Sequence, residues 1–565
     1  MRAIYNIIKK CAILCLVTTV TTASCTKNFG DINTNPGTVT TPDIGGLFAY
    51  AMENLESYQG NEWVYENFEQ LLRYAQLMTS DPYELSTNIN SRYTIFYNSI
   101  LPNLSDIRAQ IALKEDSARY RNIKAVTYIA GILHALKVTD MNGSIPYTQA
   151  AKGRSEGIMT PVYDDQKTLF DTWISELNTA IALLESESST QVTLGSADFY
   201  YNSEWEKWVK LANTIKLRIA VRYELQDAAA TKTIFKEVME DAIGPIDSDD
   251  AQFVYTRADY NGQAEGGIDY RSSRFATFSI ISFLKKTEDP RLVIYFNPND
   301  LTGSFKDTLT KYGKTLPSFI DTDDPLVQYQ GGPSDWTTDP ATAVYFKSTF
   351  DVSGNNKYSL ISNINKKFFA PRFGGATTGK ALDYMVTQAE TCFYIAELII
   401  KGYADGIDTH GDAAYWYNRG ITSSIQTMNN IAAAAMSTTA FSGDGDAEIS
   451  AYLNDPLIKL DGTNDKEKIY IQEYLNFYRL GTEAYVFCRR TGYPKNTSDY
   501  YTREEWNETI PRRYWLDEPA QGTNNENWSA AMSAQGLTPN AKDVETLSNE
   551  RIWYDKTAPS FGEGQ

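Results

Sequence analysis

The feature that most constrains the fold is an apolar period of three and four residues that recurs along the chain. Leu169, Phe170, Trp173, Leu177, Ala180, Ile181 and Leu184 trace one face of a helix. Trp205, Trp208, Ala212, Ile215, Ile219 and Arg222 trace a second, widened by Leu211. Ala389, Phe393, Ala396, Ile400 and Tyr403 trace a third, within a helix predicted over 382–403 and stopped near Gly402 and Gly406. Tyr415, Asn418, Ile421 and Ile425 mark the apolar side of a fourth. A fifth runs from about Lys466 to Arg490, with Ile471, Leu475, Tyr478, Thr482 and Tyr485 on one side. Earlier helices are predicted over 44–58, 65–79, 93–114 and 118–138.

Helices in pairs joined by short turns are the pattern of helix–turn–helix solenoids, although no exact 34-residue self-similarity is present. Between the pairs lie polar, glycine-rich stretches that carry aromatics, at 80–92, 140–162, 244–275, 296–358 and 496–545. Loops of this length serve function or partner binding more often than mere connection. The chain has 565 residues. No linker inside 43–565 separates two folding units, so one domain is expected there.

The first forty residues do different work. Arg2, Lys9 and Lys10 give a basic start, and an apolar run spans Cys11 to Val20. Small residues, Thr22-Ala23-Ser24, then lead into Cys25. This reads as a secretory signal over 1–24 with a lipoprotein-type cut before Cys25, which would carry the lipid. The run is too short to span a bilayer, which needs ~20 apolar residues. An ordinary cleaved signal with a cysteine beside the cut is the alternative. Residues 25–42, rich in Asn, Thr, Gly and Pro, read as an extended tether.

Net charge is −19. Losing residues 1–24 removes three basic residues and no acidic one, which leaves −22. With no basic cluster, that balance argues against nucleic acid and against anionic lipid surfaces. Two histidines, His134 and His410, leave little scope for His-based catalysis or zinc. Beyond residue 25 only Cys392 and Cys488 remain, each inside an apolar helical pattern. They read as two buried thiols, with a pairing between them left open. Aromatics are abundant, with 38 Tyr, 24 Phe and 10 Trp. Most belong to the core, yet such flat faces with polar edges also suit sugar rings and peptides.

The chain resembles the SusD/RagB family of outer-membrane lipoproteins. The matching segments are Asn28-Phe29 through Asn33-Thr34-Asn35-Pro36, then Asp140 with Ile145-Pro146-Tyr147-Thr148-Gln149-Ala150. Thr160-Pro161-Val162-Tyr163-Asp164 and Trp208-Val209-Lys210-Leu211-Ala212-Asn213 with Lys216-Leu217-Arg218 follow. Next come Asp289-Pro290-Arg291-Leu292, Ala389-Glu390 and Ala396-Glu397. The last are Gly481-Thr482-Glu483-Ala484, Arg489-Arg490-Thr491-Gly492-Tyr493-Pro494 and Ile510-Pro511-Arg512-Arg513. The resemblance implies a mostly α fold on a tetratricopeptide-like scaffold of helical pairs, with the irregular loops packed on one side. It implies a surface lipoprotein, not an enzyme, that captures oligosaccharides or peptides. The ligand would pass to a SusC/RagA-type TonB-dependent outer-membrane transporter.

The search for other chemistry is mostly negative. HExxH and CxxC motifs are missing. Gly374-Gly375-Ala376-Thr377-Thr378-Gly379-Lys380 has the spacing of a P-loop, but Ala381 stands where Ser or Thr should hold magnesium. It reads as a glycine loop leading into the 382–403 helix. No cofactor is expected. A structural calcium ion is the one metal left open, at Asp444-Gly445-Asp446-Ala447-Glu448 or Asp461-Gly462-Thr463-Asn464-Asp465, although neither fits the EF-hand spacing. Ligand-site candidates are aromatics in polar loops, where burial does not already explain the ring. Trp336 lies in Gly331-Gly332-Pro333-Ser334-Asp335-Trp336-Thr337, flanked by Tyr329 and Tyr345. Tyr83 follows Asp81-Pro82, and Tyr260 and Tyr270 lie in the Gly/Asn/Asp-rich 257–274 stretch. Each is alternatively a loop anchor on the helices. A surface glycan hydrolase, or a helical scaffold with no small ligand, are the rival functions.

Overall fold

Helices in sequence-adjacent pairs build the protein, a mostly helical, tetratricopeptide-like scaffold. The computed structural model describes residues 43–55, 62–81, 85, 87–186, 190–257, 274–369 and 379–565. The chain divides into two units, Met1–Leu47 and Phe48–Gln565. In the first, the Asp43 carboxylate accepts from the Gly46 N–H (2.9 Å), close to the start of the helix Ile44–Glu53.

Eight helices frame the second unit: α1 (Arg121–Asn142), α2 (Gln166–Glu185), α3 (Trp205–Tyr223), α4 (Ala228–Glu240), α5 (Gln388–Ile400), α6 (Ala413–Ala434), α7 (Asp465–Asn476) and α8 (Gly481–Thr491). Asp residues begin three of them. Asp165, Asp227 and Asp412 each accept a backbone N–H of the first turn, satisfying donors that helix starts leave open. α1 packs on α2, α2 on α3, α3 on α4 and α5, and α5 on α6 and α7. The apolar face of α2 buries Leu169, Phe170, Trp173, Leu177, Ala180, Ile181 and Leu184, the residues its period picked out. α3 and α5 are central. Every α3 residue from Leu211 to Tyr223 is buried, as is every α5 residue from Gln388 to Leu398.

Several expectations are corrected. Residues 382–386 are not helical. Ala381–Val386 is a strand paired antiparallel with Phe253–Arg257, and α5 begins only at Gln388, where the Thr387 hydroxyl caps it by accepting from Glu390 N–H (3.0 Å). The alternating burial of 381–385, with one face inward, is the pattern of a strand and not of a helix. The helix expected from Lys466 to Arg490 is two. Leu480 takes a non-helical conformation (φ −108°, ψ 73°) between the 3₁₀ turn Phe477–Arg479 and α8. On α6, Tyr415 and Asn418 do not share the buried side with Ile421 and Ile425. They are exposed, and Trp416 and Tyr417 are buried in their place. Cys392 and Cys488 are free and buried, and burial pushes both thiols up to about 12.

The 296–358 stretch is also more than a loop. It contains a helix, Phe305–Tyr312, and a hairpin of Phe350–Ser353 with Asn356–Tyr358. Leu301, Phe305, Leu309, Leu316, Ile320, Val327, Val352 and Leu360 give it a small apolar core of its own.

Charged side chains tie the central helices together inside the core. Arg222 of α3 donates to Asp140 of α1 (2.7 Å and 2.9 Å) and to Glu483 of α8 (3.0 Å). One turn earlier Arg218 holds Glu390 of α5 in a two-point contact, one arm of it 2.7 Å. Arg490 of α8 reaches both oxygens of Glu397 on α5 (2.6 Å each) and Glu473 on α7 (2.8 Å).

Candidate functional site

Trp336 stands at the edge of the 296–358 insert. Its loop is held by backbone contacts to the segment beside Phe275: Phe278 N–H donates to Gly332 O (2.9 Å), and Gly332 N–H donates to Ala276 O (3.0 Å). Two glycines allow that approach. A Cβ on Gly331 would overlap the Thr277 carbonyl, and one on Gly332 would lie 2.5 Å from the Phe346 ring. The space left by Gly332 is thus filled by Phe346, and Phe346 in turn supports Trp336. The two rings stack with centres 4.4 Å apart and planes 19° apart. Phe275 meets the same indole edge-on at 6.3 Å.

Polar groups fix the ring's direction. The indole N–H donates to Thr79 Oγ1 (3.0 Å), whose hydroxyl donates to Ser334 O (2.7 Å). Lys347 Nζ lies 5.0 Å from the ring centre and pairs with Asp81 at 2.5 Å. That pair is exposed and contributes little to stability. Behind the ring, Asp335 is fully buried. Its carboxylate accepts from Thr337 N–H (2.9 Å) and Oγ1 (2.8 Å), and from Asn507 N–H (2.7 Å) and Glu508 N–H (3.1 Å). Burial alone would raise the Asp335 carboxyl, but these bonds outweigh it and hold it below the usual carboxylate range. Glu504 anchors the other side, accepting from Ser334 N–H (2.7 Å) and Ser279 N–H (2.8 Å). There burial prevails and raises the carboxyl.

The result is a half-buried indole in a fixed orientation, beside a half-buried Tyr345, with Thr337 and Lys347 exposed around it. With Phe346 stacked on the indole and Lys347 Nζ over the ring, the part of the ring that stays exposed, with polar groups beside it, has the chemistry to pack on a sugar and bond its hydroxyls. Tyr345 borders the same apolar cluster as Trp336 and packs on Phe319 at 5.9 Å. Tyr329 is elsewhere: it is 7 % exposed and belongs to the main core, where it holds its loop down. Tyr83, Tyr260, Tyr270 and Cys25 lie outside the described residues, as do Gly374 to Thr378 of the P-loop-like stretch. Sequence reasoning missed Phe346, Lys347 and Thr79, whose closeness to Trp336 is set by tertiary packing. Among the described residues, no group of three or more His, Cys, Asp or Glu side chains is placed to hold a metal ion. Among them, too, no helix is long and apolar enough to cross a membrane.

The architecture is that of a helical-repeat protein with irregular inserts. The chain belongs to the SusD-like family, whose model, described as starch-binding and associating with the outer membrane, matches residues 34–516. Solved structures agree on the fold. A chitin-binding protein superposes with a TM-score of 0.66 at 21% identity, covering 91% of this chain and 100% of that one. A chitin-binding SusD homologue from Flavobacterium johnsoniae gives 0.63 at 20% identity, covering 91% and 99%. A SusD homologue from Bacteroides fragilis gives 0.65 at 19% identity, covering 92% and 100%. No curated protein matches by sequence.

Proposed function

We propose that this protein is a lipid-anchored surface protein that binds oligosaccharides, with Trp336 and Tyr345 among the residues they meet. It passes them, without cleaving them, to a SusC/RagA-type TonB-dependent outer-membrane transporter. The observation that carries the reading is the family match over residues 34–516. The fixed indole supports the place of contact, since a ring that is already held loses little freedom on binding. The chitin-binding neighbours and the family description make chitin and starch fragments the first probes.

The test is titration of chitohexaose, maltohexaose and a mixed peptide pool into residues 25–565, with the sugars analysed afterwards for breakdown. Binding of a hexasaccharide without turnover is the expected result. Turnover would make the protein a hydrolase, binding of peptide alone would move it to peptide capture, and binding of nothing would leave a scaffold. An aromatic stack contributes about 1 kcal/mol, so Trp336→Ala should weaken hexasaccharide binding several-fold. Trp336→Phe, which keeps a ring over Phe346, should recover most of that loss. Equal affinity in all three proteins would remove Trp336 from the site.

The anchor and the partner are checked together by membrane purification in mild detergent. The native protein should partition with membranes, carry acyl chains and bring down a β-barrel. Cys25→Ala should stay soluble or uncleaved. Acylation of the variant would overturn the assignment of Cys25, and native protein recovered alone would count against a stable transporter complex.

A further inference from the structure

The exposed face of α6 carries an aromatic that the core does not explain. Tyr415 is 44% exposed. It stands beside a surface groove of about 280 Å³, and the lining side chains are Gln388, Tyr415, Asn418, Arg419, Thr422, Ser423 and Gln426. Tyr415, Asn418, Arg419, Thr422 and Gln426 fall three, four, seven and eleven residues apart, one stripe along a helix ~16 Å long at 1.5 Å per residue. We infer that this groove is a second saccharide subsite, for a short oligosaccharide segment, distinct from the surface at Trp336. The inference rests on the glycan-binding reading above.

Three observations carry it. First, the ring is held in place. Arg419 donates to the Tyr415 hydroxyl (2.9 Å) and, with its other arm, to Asp247 O (2.6 Å). Gly411 leaves no room for a Cβ beside the ring, so Tyr415 packs directly on its backbone. Second, the floor is fixed by the same carbonyl, since Gln388 Nε2 also donates to Asp247 O (2.9 Å). Third, the lining carries no carboxylate and a single guanidinium, whose two arms are held by the neutral Tyr415 hydroxyl and Asp247 carbonyl and so stay in place with the charge retained. The neighbouring Asp247 carboxylate is paired with Lys210 at 2.6 Å. A partly exposed ring, followed by the exposed Asn418 amide and the half-buried Thr422 and Gln426 on successive turns with Arg419 beside them, suits stacking plus hydroxyl bonding, and nothing in the lining attracts a cation.

The test compares chitohexaose and maltohexaose titrations of the native protein, Tyr415→Ala, Trp336→Ala and the double variant. Trp336→Ala should retain weak binding that the double variant lacks, and Tyr415→Ala alone should lose one of two binding events. Asn418→Trp, which fills the groove and leaves Tyr415 intact, should act like Tyr415→Ala and guards against a misfolded variant. Native binding that neither groove variant alters would overturn this subsite and leave the proposed function standing. No native binding of either sugar would overturn both. Loss caused by the groove variants but not by Trp336→Ala would support this subsite and remove the other.

Discussion

Arg222→Ala should lower the unfolding free energy by about 3–5 kcal/mol, the usual cost of leaving a buried charge without its partner. Arg222 has no exposed side-chain surface, and neither does Asp140. The substitution strands two carboxylates at once, on α1 and on α8. Asp140 keeps only the Tyr554 hydroxyl (2.8 Å) and Glu483 keeps Arg218 and the Tyr394 hydroxyl. It also frees the α1–α3–α8 junction at its middle. Arg222→Lys should recover only part, because an ammonium cannot match the planar two-point contact with Asp140. Denaturant midpoints of the three proteins decide the matter. A loss below about 1 kcal/mol for Arg222→Ala would mean that Asp140 and Glu483 find other partners or water, and that the network is weaker than its geometry implies.

The same charges explain why the family could be recognised from scattered short motifs. Asp140, Arg218, Glu390, Glu397, Glu483 and Arg490 are the buried frame, and Asp289-Pro290-Arg291 forms another closed pair, with Arg291 donating to Asp289 at 2.6 Å and to Gln472 at 2.6 Å. Arg512 joins in through Asp555 (2.7 Å). A buried ion pair tolerates no drift in either partner, so these residues stand out in sequence whereas the apolar core around them is interchangeable. Helices with one wet face were legible for a similar reason: α2 shows its stripe because its other side is exposed. α3 from Leu211 onward and α5 as far as Leu398 are wet on no side, so the period marked them but understated how much of each is buried. It failed at 381–386 and at Leu480, where strand pairing and a local turn override helical propensity. On α6 it put Tyr415 on the wrong side, because a tyrosine counts as apolar in a pattern whether or not its ring meets the core.

Trp336 was legible for the opposite reason, as a ring no period explained. Its supports were not. Thr79, Phe275 and Phe346 come from three separate stretches, and only the packed chain brings them within reach of one indole. Two positive signals were present all the same. Consecutive glycines at 331 and 332 mark a close backbone approach, and Trp336 follows that pair by four residues, a ring set against the element the backbone approaches.

Acid should act on this protein through the buried carboxylates whose charge is favoured in the fold, and Glu397 isolates the effect. Burial alone would raise its carboxyl, but Arg490, Lys401 and the Tyr470 hydroxyl outweigh that and bring it to about 2. A carboxyl held low contributes stability that is complete above its unfolded value, about 4.5, and is lost as pH falls toward 2. Glu473 shares Arg490 and moves the other way, with burial raising it well above the ordinary range. Below pH about 4.5 it is protonated both folded and unfolded, so it adds no slope there. The native protein should therefore exceed Glu397→Gln by a margin that is steady from pH 5 to 7 apart from the relief of Glu473. Between pH 4.5 and 2 that margin should shrink by roughly 3 kcal/mol, as expected from a shift of that size. Denaturant unfolding of both proteins at half-unit pH steps measures it. Parallel curves across the acid range would show that Glu397 is not held as an anion, and that the Arg490 cluster keeps its contacts with the carboxyl protonated.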